Sequence, residues 1–194
     1  MLVIGLTGGI GMGKSTVAKM FAKAGIPAFN ADDAVRALQA PGGAALEILD
    51  VSFPGTVTDG VLDRAKLRAL VLRDAVAMRR LEFLMHPLVQ FEERKFRRAA
   101  VSAGRRAVLM DIPLLFETGA DKRVDKTITV SCPRDVQIAR VTRRGIPVAQ
   151  IKSIIAKQMP DTEKRRRADY VVPTGLSKFH TWQEVKRILK ELKV

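Results

Sequence analysis

A single cysteine, Cys132, excludes an intrachain disulfide and with it the cross-linked scaffolds of oxidising compartments, so a reducing cytoplasm is the expected setting. No apolar run approaches the roughly 18–20 residues that a bilayer-spanning helix needs. Met1-Leu2-Val3-Ile4-Gly5 carries neither a basic stretch nor a long apolar stretch, so no secretory leader is expected. Aromatic residues make up only 5%, and nowhere do they interleave with basic ones, which argues against a stacking platform for single-stranded nucleic acid. Internal repeats and low-complexity tracts are missing. No Pro/Gly/Ser-rich linker divides the chain. The 194 residues therefore fit one domain with small lobes inserted into it.

Acidic residues are also few for the number of basic ones. Against 20 Asp and Glu stand 34 Lys and Arg, a formal charge of +14 that suits polyanionic partners, phosphorylated small molecules ahead of nucleic acid. The order of elements points to an α/β fold. Leu2–Leu6 reads as a strand, followed by glycines and a helix from Ser15 to Lys23. Pro27–Asn30 is a second strand. Helical patterns then run from Asp32 to about Ala103, around Ala44–Val51, Arg64–Arg73, Val76–Leu84 and Pro87–Ala103, with Pro87 opening its helix. Arg106–Ile112 and Lys126–Ser131 are strands, Pro133–Arg144 and Pro147–Lys157 helices, and Asp169–Val172 a last strand. Ser177–Leu192 closes the chain as an amphipathic helix, with Phe179, Trp182, Val185, Ile188, Leu189 and Leu192 on its apolar face. Strands alternating with helices imply a parallel sheet covered by helices on both faces.

Gly8-Gly9-Ile10-Gly11-Met12-Gly13-Lys14-Ser15 matches G-x-x-x-x-G-K-[ST] between a strand and a helix, as a phosphate-binding loop requires. Glycines let the backbone turn its N–H groups onto phosphate oxygens, and the helix start adds its positive dipole end. Lys14 can reach the β- and γ-phosphates, and the Ser15 hydroxyl can ligate Mg²⁺. This pattern identifies a nucleoside triphosphate and leaves the acceptor open.

Asp32 and Asp33 directly follow the second strand, at the strand ends where α/β sheets bind ligands. A carboxylate there can accept a proton from an attacking hydroxyl or hold Mg²⁺ through a water, and the same residue types also cap helices. Gln137, Arg140 and Arg144 share one helix face, suited to phosphate oxygens or to solvent. Lys164-Arg165-Arg166-Arg167 reads as a solvated helix face ahead of a nucleic-acid contact, His86 as a capping or ligand residue, and Asp111 as a turn cap or a strand-end carboxylate near a metal. Cys132 has no metal-ligand partner nearby.

Six segments in this order, L-T-G-G-I-G-M-G-K-S-T, N-A-D-D-A-V-R, H-P-L-V, D-I-P-L-L-F-E, Q-I-A-R-V-T-R-R and A-D-Y-V-V, make the chain resemble the dephospho-CoA kinase family over nearly its whole length. The resemblance implies a P-loop kinase core (about residues 1–31, 104–139 and 168–194), a helical acceptor lobe (about 32–103) and a small lid (about 140–167). It implies transfer of the γ-phosphoryl group of ATP to the 3′-hydroxyl of dephospho-CoA. Asp32 would receive that hydroxyl, while Lys14 and Arg140 stabilise the transferring group. Gly11, Met12, Gly13, Lys14, Ser15 and Thr16, with Arg144, would hold ATP, and Ser15 the Mg²⁺. Thr7, Asp32, Arg36, His86, Pro113 and Leu114 would belong to the acceptor side. Neither a membrane nor a nucleic acid is an expected partner, and a monomer suits the scheme. A nucleoside or nucleoside-monophosphate kinase shares this core and lid, and a nucleic-acid-binding P-loop ATPase shares the loop. The family often has an acid where Asn30 stands, and an Asn then a Gly where Pro173-Thr174-Gly175 stands, so no adenine contact is carried over from that segment.

Overall fold

A computed structural model describes residues 1–156 and 158–194. Lys157, the expected end of one helix, lies outside the described residues. Seven strands are present among them: β1 (Leu2–Thr7), β2 (Ala28–Asn30), β3 (Val57–Thr58), β4 (Val61–Leu62), β5 (Ala107–Asp111), β6 (Lys126–Ser131) and β7 (Tyr170–Pro173). The helices are α1 (Lys14–Lys23), α2 (Ala31–Leu38), α3 (Leu46–Ser52), α4 (Arg64–Arg73), α5 (Ala75–Ser102), α6 (Arg134–Thr142), α7 (Val148–Ala156), α8 (Asp161–Arg167) and α9 (Lys178–Glu191), with a 3-10 turn at Ala120–Arg123. The chain divides into two compact units, one of residues 1–29 and 100–194, the other of residues 30–99.

The first unit is built on a sheet ordered β2-β5-β1-β6-β7. β1 pairs in parallel with β5 on one side and β6 on the other, and β6 pairs in parallel with β7. Strands covered on both faces read as continuous apolar runs rather than alternating ones. Every residue of β5 is buried, as are all but the first of β1 and of β6. Ile4, Leu6, Leu109, Ile128, Val130 and Val172 join Val17 and Phe21 of α1 and Val185 and Ile188 of α9 in one core. The order of strands reverses about β1, so the loop after β1 leaves the sheet at the edge where such folds take ligands.

The second unit has its own core, from Leu38, Leu46, Leu49 and Phe53 to Leu67, Val71 and Met85. Two features here depart from the sequence reading. The two expected helices on either side of Pro87 are one, α5, with Pro87 inside it. Proline removes one helical hydrogen bond and crowds the preceding turn, but Leu81, Leu84 and Met85 before it and Leu88 and Val89 after it all pack on the same core, which holds the helix together. The β3–β4 hairpin was not anticipated. Its turn, Asp59-Gly60, has φ of 51° and 72°, the left-handed pair that a two-residue hairpin loop favours. In the first unit a third departure occurs: Phe179 stands exposed on α9 while Thr181 is buried, with its hydroxyl near the Ser177 and Pro173 carbonyls.

Candidate active site

The chain leaves β1 in the buried centre of the sheet and must enter α1 within a few residues. Gly11 and Gly13 make this possible, with φ of 76° and 93°. A Cβ on Gly11 would lie 2.5 Å from Val141 Cγ2 and 2.9 Å from the Gln137 carbonyl oxygen, so α6 leaves no room for a side chain. Gly13 is the N-cap of α1 and offers no side-chain cap to its first amides, which leaves those donors for an anion. The outside of the loop is tied down. Gln137 Nε2 donates to the Ile10 carbonyl at 2.8 Å, and Thr174 Oγ1 donates to the Met12 carbonyl at 2.5 Å. The Ile10 N–H donates to Gln158 Oε1 at 3.2 Å. Gln137, read as a face-sharing partner of Arg140, is thus a fully buried brace of the loop, its own Oε1 accepting from Arg134 Nη1.

Lys14 forms an ion pair with Asp111, the buried last residue of β5. The carboxylate at the end of the neighbouring strand thereby steers the lysine side chain. Just beyond it, the Pro113 carbonyl accepts from Thr7 Oγ1 at 2.9 Å and from Lys164 Nζ at 3.2 Å. Thr7 is fully buried, and Leu114 beside Pro113 is 40% exposed.

Lys164 overturns the expectation of a solvated helix face. Its side chain is 1% exposed and its Nζ lies 2.8 Å from Glu117 Oε1. α8 turns this residue inward, and Glu117, the last residue of the D-I-P-L-L-F-E segment, supplies the charge a buried ammonium requires. Burial alone would raise the Glu117 pKa, but hydrogen bonds from Lys164 and from the Met159 N–H outweigh it and hold the carboxyl below its ordinary value. Arg166 and Arg167 do face solvent, where both bond Glu163 and hold its pKa down at about 2.

Arg140 lies part-buried on α6, donating to the Thr174 carbonyl at 2.6 Å and to Thr174 Oγ1 at 3.1 Å. Arg144 is exposed just past the end of α6. Beside the loop opens a cavity of about 520 Å³, with Met12, Cys132, Pro133, Val171, Pro173 and Leu176 in its walls. Burial pushes the Cys132 thiol up, and its Sγ contacts Met12 Sδ at 3.4 Å. Sequence reasoning missed Thr174, Gln158 and Glu117 as parts of this site. Glu117 stood in a family segment and Thr174 in the segment that departs from the family pattern, whereas no signal marked Gln158.

In the second unit, Asn30 caps α2 through its side chain, accepting from the Asp33 N–H at 3.1 Å. Asp32 is exposed in the first turn of α2. Arg36 pairs with Asp33, a hydrogen bond that raises its pKa. His86 is exposed within α5 rather than at a helix start.

A parallel sheet whose central strand runs into a glycine loop, with a loop lysine paired to the acid at the next strand's end, defines a P-loop nucleotide-binding protein. Solved structures agree. A Thermus thermophilus crystal structure matches with a TM-score of 0.85 at 34% identity, over 98% of this chain and 97% of that one. A dephospho-CoA kinase from Campylobacter jejuni matches with a TM-score of 0.72 at 23% identity, over 98% and 96%, and shows the shared fold. The family model for dephospho-CoA kinase matches residues 2–177. A dephospho-CoA kinase of Mesorhizobium japonicum is 49% identical over 100% of this chain and 98% of its own. Another from Brucella melitensis is 48% identical over 99% and 94%. The chain belongs to the dephospho-CoA kinase family.

Proposed function

We propose that this protein transfers the γ-phosphoryl group of ATP to the 3′-hydroxyl of dephospho-CoA, giving coenzyme A and ADP. The observation that carries the reading is the family match over residues 2–177, in a chain whose glycine loop is built for phosphate. In phosphoryl transfer the protein mainly positions groups and neutralises charge. Residues Gly11 to Thr16 hold the phosphates. Lys14, steered by Asp111, meets the β- and γ-oxygens. Arg140 on α6 and Arg144 just past its end add positive charge. Asp32 orients the acceptor hydroxyl and takes its proton, with Arg36, His86, Pro113 and Leu114 on the acceptor side. Thr7 acts through the carbonyl of Pro113, which its hydroxyl holds.

Ser15 is exposed at the start of α1, and among the described residues no group of three or more His, Cys, Asp or Glu could hold a metal. One hydroxyl with no protein cage fits Mg²⁺, which keeps most of its shell as water and phosphate oxygen. Ser15 would hold such an ion, which would supply charge neutralisation at the ATP phosphates. Among the described residues no helix is long and apolar enough to cross a membrane. The buried Cys132 thiol suits a reducing cytoplasm, and a monomer suffices for the scheme. The test is formation of coenzyme A from dephospho-CoA and ATP by the purified chain. Absence of that product under saturating Mg²⁺ and ATP would refute it.

A further inference from the structure

We propose that Thr174 is a positioning residue for phosphoryl transfer, holding the Met12 carbonyl outward so that the Gly13 N–H faces the phosphates. The inference rests on assigning the glycine loop to the phosphates of ATP. A trans peptide is planar, and its C=O and N–H point in opposite directions. A loop that turns its N–H groups inward therefore throws its carbonyls outward, and a buried carbonyl needs a donor. The Met12–Gly13 peptide is the last before the one that leads into Lys14, and the partner of its carbonyl is Thr174 Oγ1 at 2.5 Å.

The hydroxyl has one proton to give. Arg140 Nη1, at 3.1 Å, can only donate to it, which leaves that proton for a carbonyl. Ser131 O, at 3.4 Å, is the more distant of the two carbonyls. Thr174 is itself held firmly. It is 6% exposed, its N–H donates to the Ser131 carbonyl at 2.8 Å, and its own carbonyl accepts from Arg140 Nη2 at 2.6 Å. Its side chain also rests against Gly13, where an added Cβ would lie 3.2 Å from Thr174 Oγ1. One side chain thus fixes both the tilt of the peptide and the glycine that permits it. The rigid end of β6 and β7 is thereby connected to the loop that must bind phosphate.

The test is steady-state kinetics of the full chain, varying ATP and dephospho-CoA separately. Thr174→Val keeps the shape and removes the hydroxyl, and Thr174→Ser restores it. Loss of one hydrogen bond to a buried carbonyl predicts that Thr174→Val raises the KM for ATP about tenfold, with the KM for dephospho-CoA changed less than about twofold. Thr174→Ser brings the ATP KM back to within about threefold of the parent. A merely structural role would lower the active fraction, and so kcat, while leaving both KM values in place. That result, or an equal loss in the Val and Ser variants, would overturn the proposal. If the unaltered chain shows no saturation by ATP at all, the phosphate-loop assignment itself fails and the role of Thr174 falls with it.

Discussion

Replacing Glu117 by Gln strands a positive charge inside the protein. Lys164 is 1% exposed and has two acceptors, Glu117 Oε1 at 2.8 Å and the Pro113 carbonyl at 3.2 Å. The oxygen of the substituted amide can still accept from the Met159 N–H, so what is lost is the countercharge. Removing one partner of a buried ion pair costs about 3–5 kcal/mol. Only Lys164 is fully buried while Glu117 reaches solvent, and this with the retained hydrogen bonds places the case at the lower end, about 3 kcal/mol. At roughly 2–4 °C per kcal/mol for a chain of this size, the expected fall in Tm is about 6–12 °C. The assay is thermal and urea unfolding with a probe in the unit that holds the pair. The double variant Glu117→Gln/Lys164→Met removes both charges and is expected to recover most of the loss, since a buried pair replaced by apolar groups is often neutral. Glu117 is held below its ordinary value of 4.5, so its contribution is fully present above that pH and is lost as pH falls through the folded value. The Glu117→Gln variant lacks this part of the acid slope. A single variant within about 0.5 kcal/mol of the parent, or losses that simply add in the double variant, would refute the pairing of Lys164 with Glu117.

Lys14→Ala is expected to collapse both ATP affinity and turnover, read by nucleotide titration and by ADP release; unchanged kinetics would remove the phosphate-loop assignment. Asp32→Asn, at an exposed helical position, should fold normally and keep its ATP affinity while losing roughly 10²–10⁴ in kcat. Full activity in that variant would end the proposed role of Asp32. Gly11→Ala places a methyl 2.5 Å from Val141 at a φ of 76°, so α6 must shift or the loop must reshape. That strain is of order 1–3 kcal/mol, seen as a lower Tm together with weaker ATP binding. A variant that binds ATP as the parent does would contradict the close packing of α6 on the loop.

Much of this arrangement was legible in the sequence because it rests on local signals. The glycine loop lies between a strand and a helix that both carry clear patterns, and the strands of the parallel sheet are short apolar runs. What was not legible depends on distant partners. The charge run at Lys164–Arg167 says nothing of which residue faces inward. That is decided by Glu117, far away in the chain, and by the Thr129 and Pro113 groups that also bond to Lys164. Pro87 misled because a local rule, that proline opens helices, gave way to packing on both sides of it. Thr174 was passed over because the segment departs from the family pattern. Its role comes from the Met12 carbonyl, which no spacing in the sequence points to. The Asp59-Gly60 turn, by contrast, carries a local signal, the Asp-Gly pair of a two-residue hairpin loop.

The most direct test of the central claim is ADP release and product mass with ATP, Mg²⁺ and a panel of acceptors: dephospho-CoA, the common nucleosides, the nucleoside monophosphates and DNA. The account predicts turnover with dephospho-CoA alone and a product with the mass of coenzyme A. Turnover with a nucleoside or nucleotide, or only when DNA is present, would leave the phosphate loop standing and contradict the acceptor.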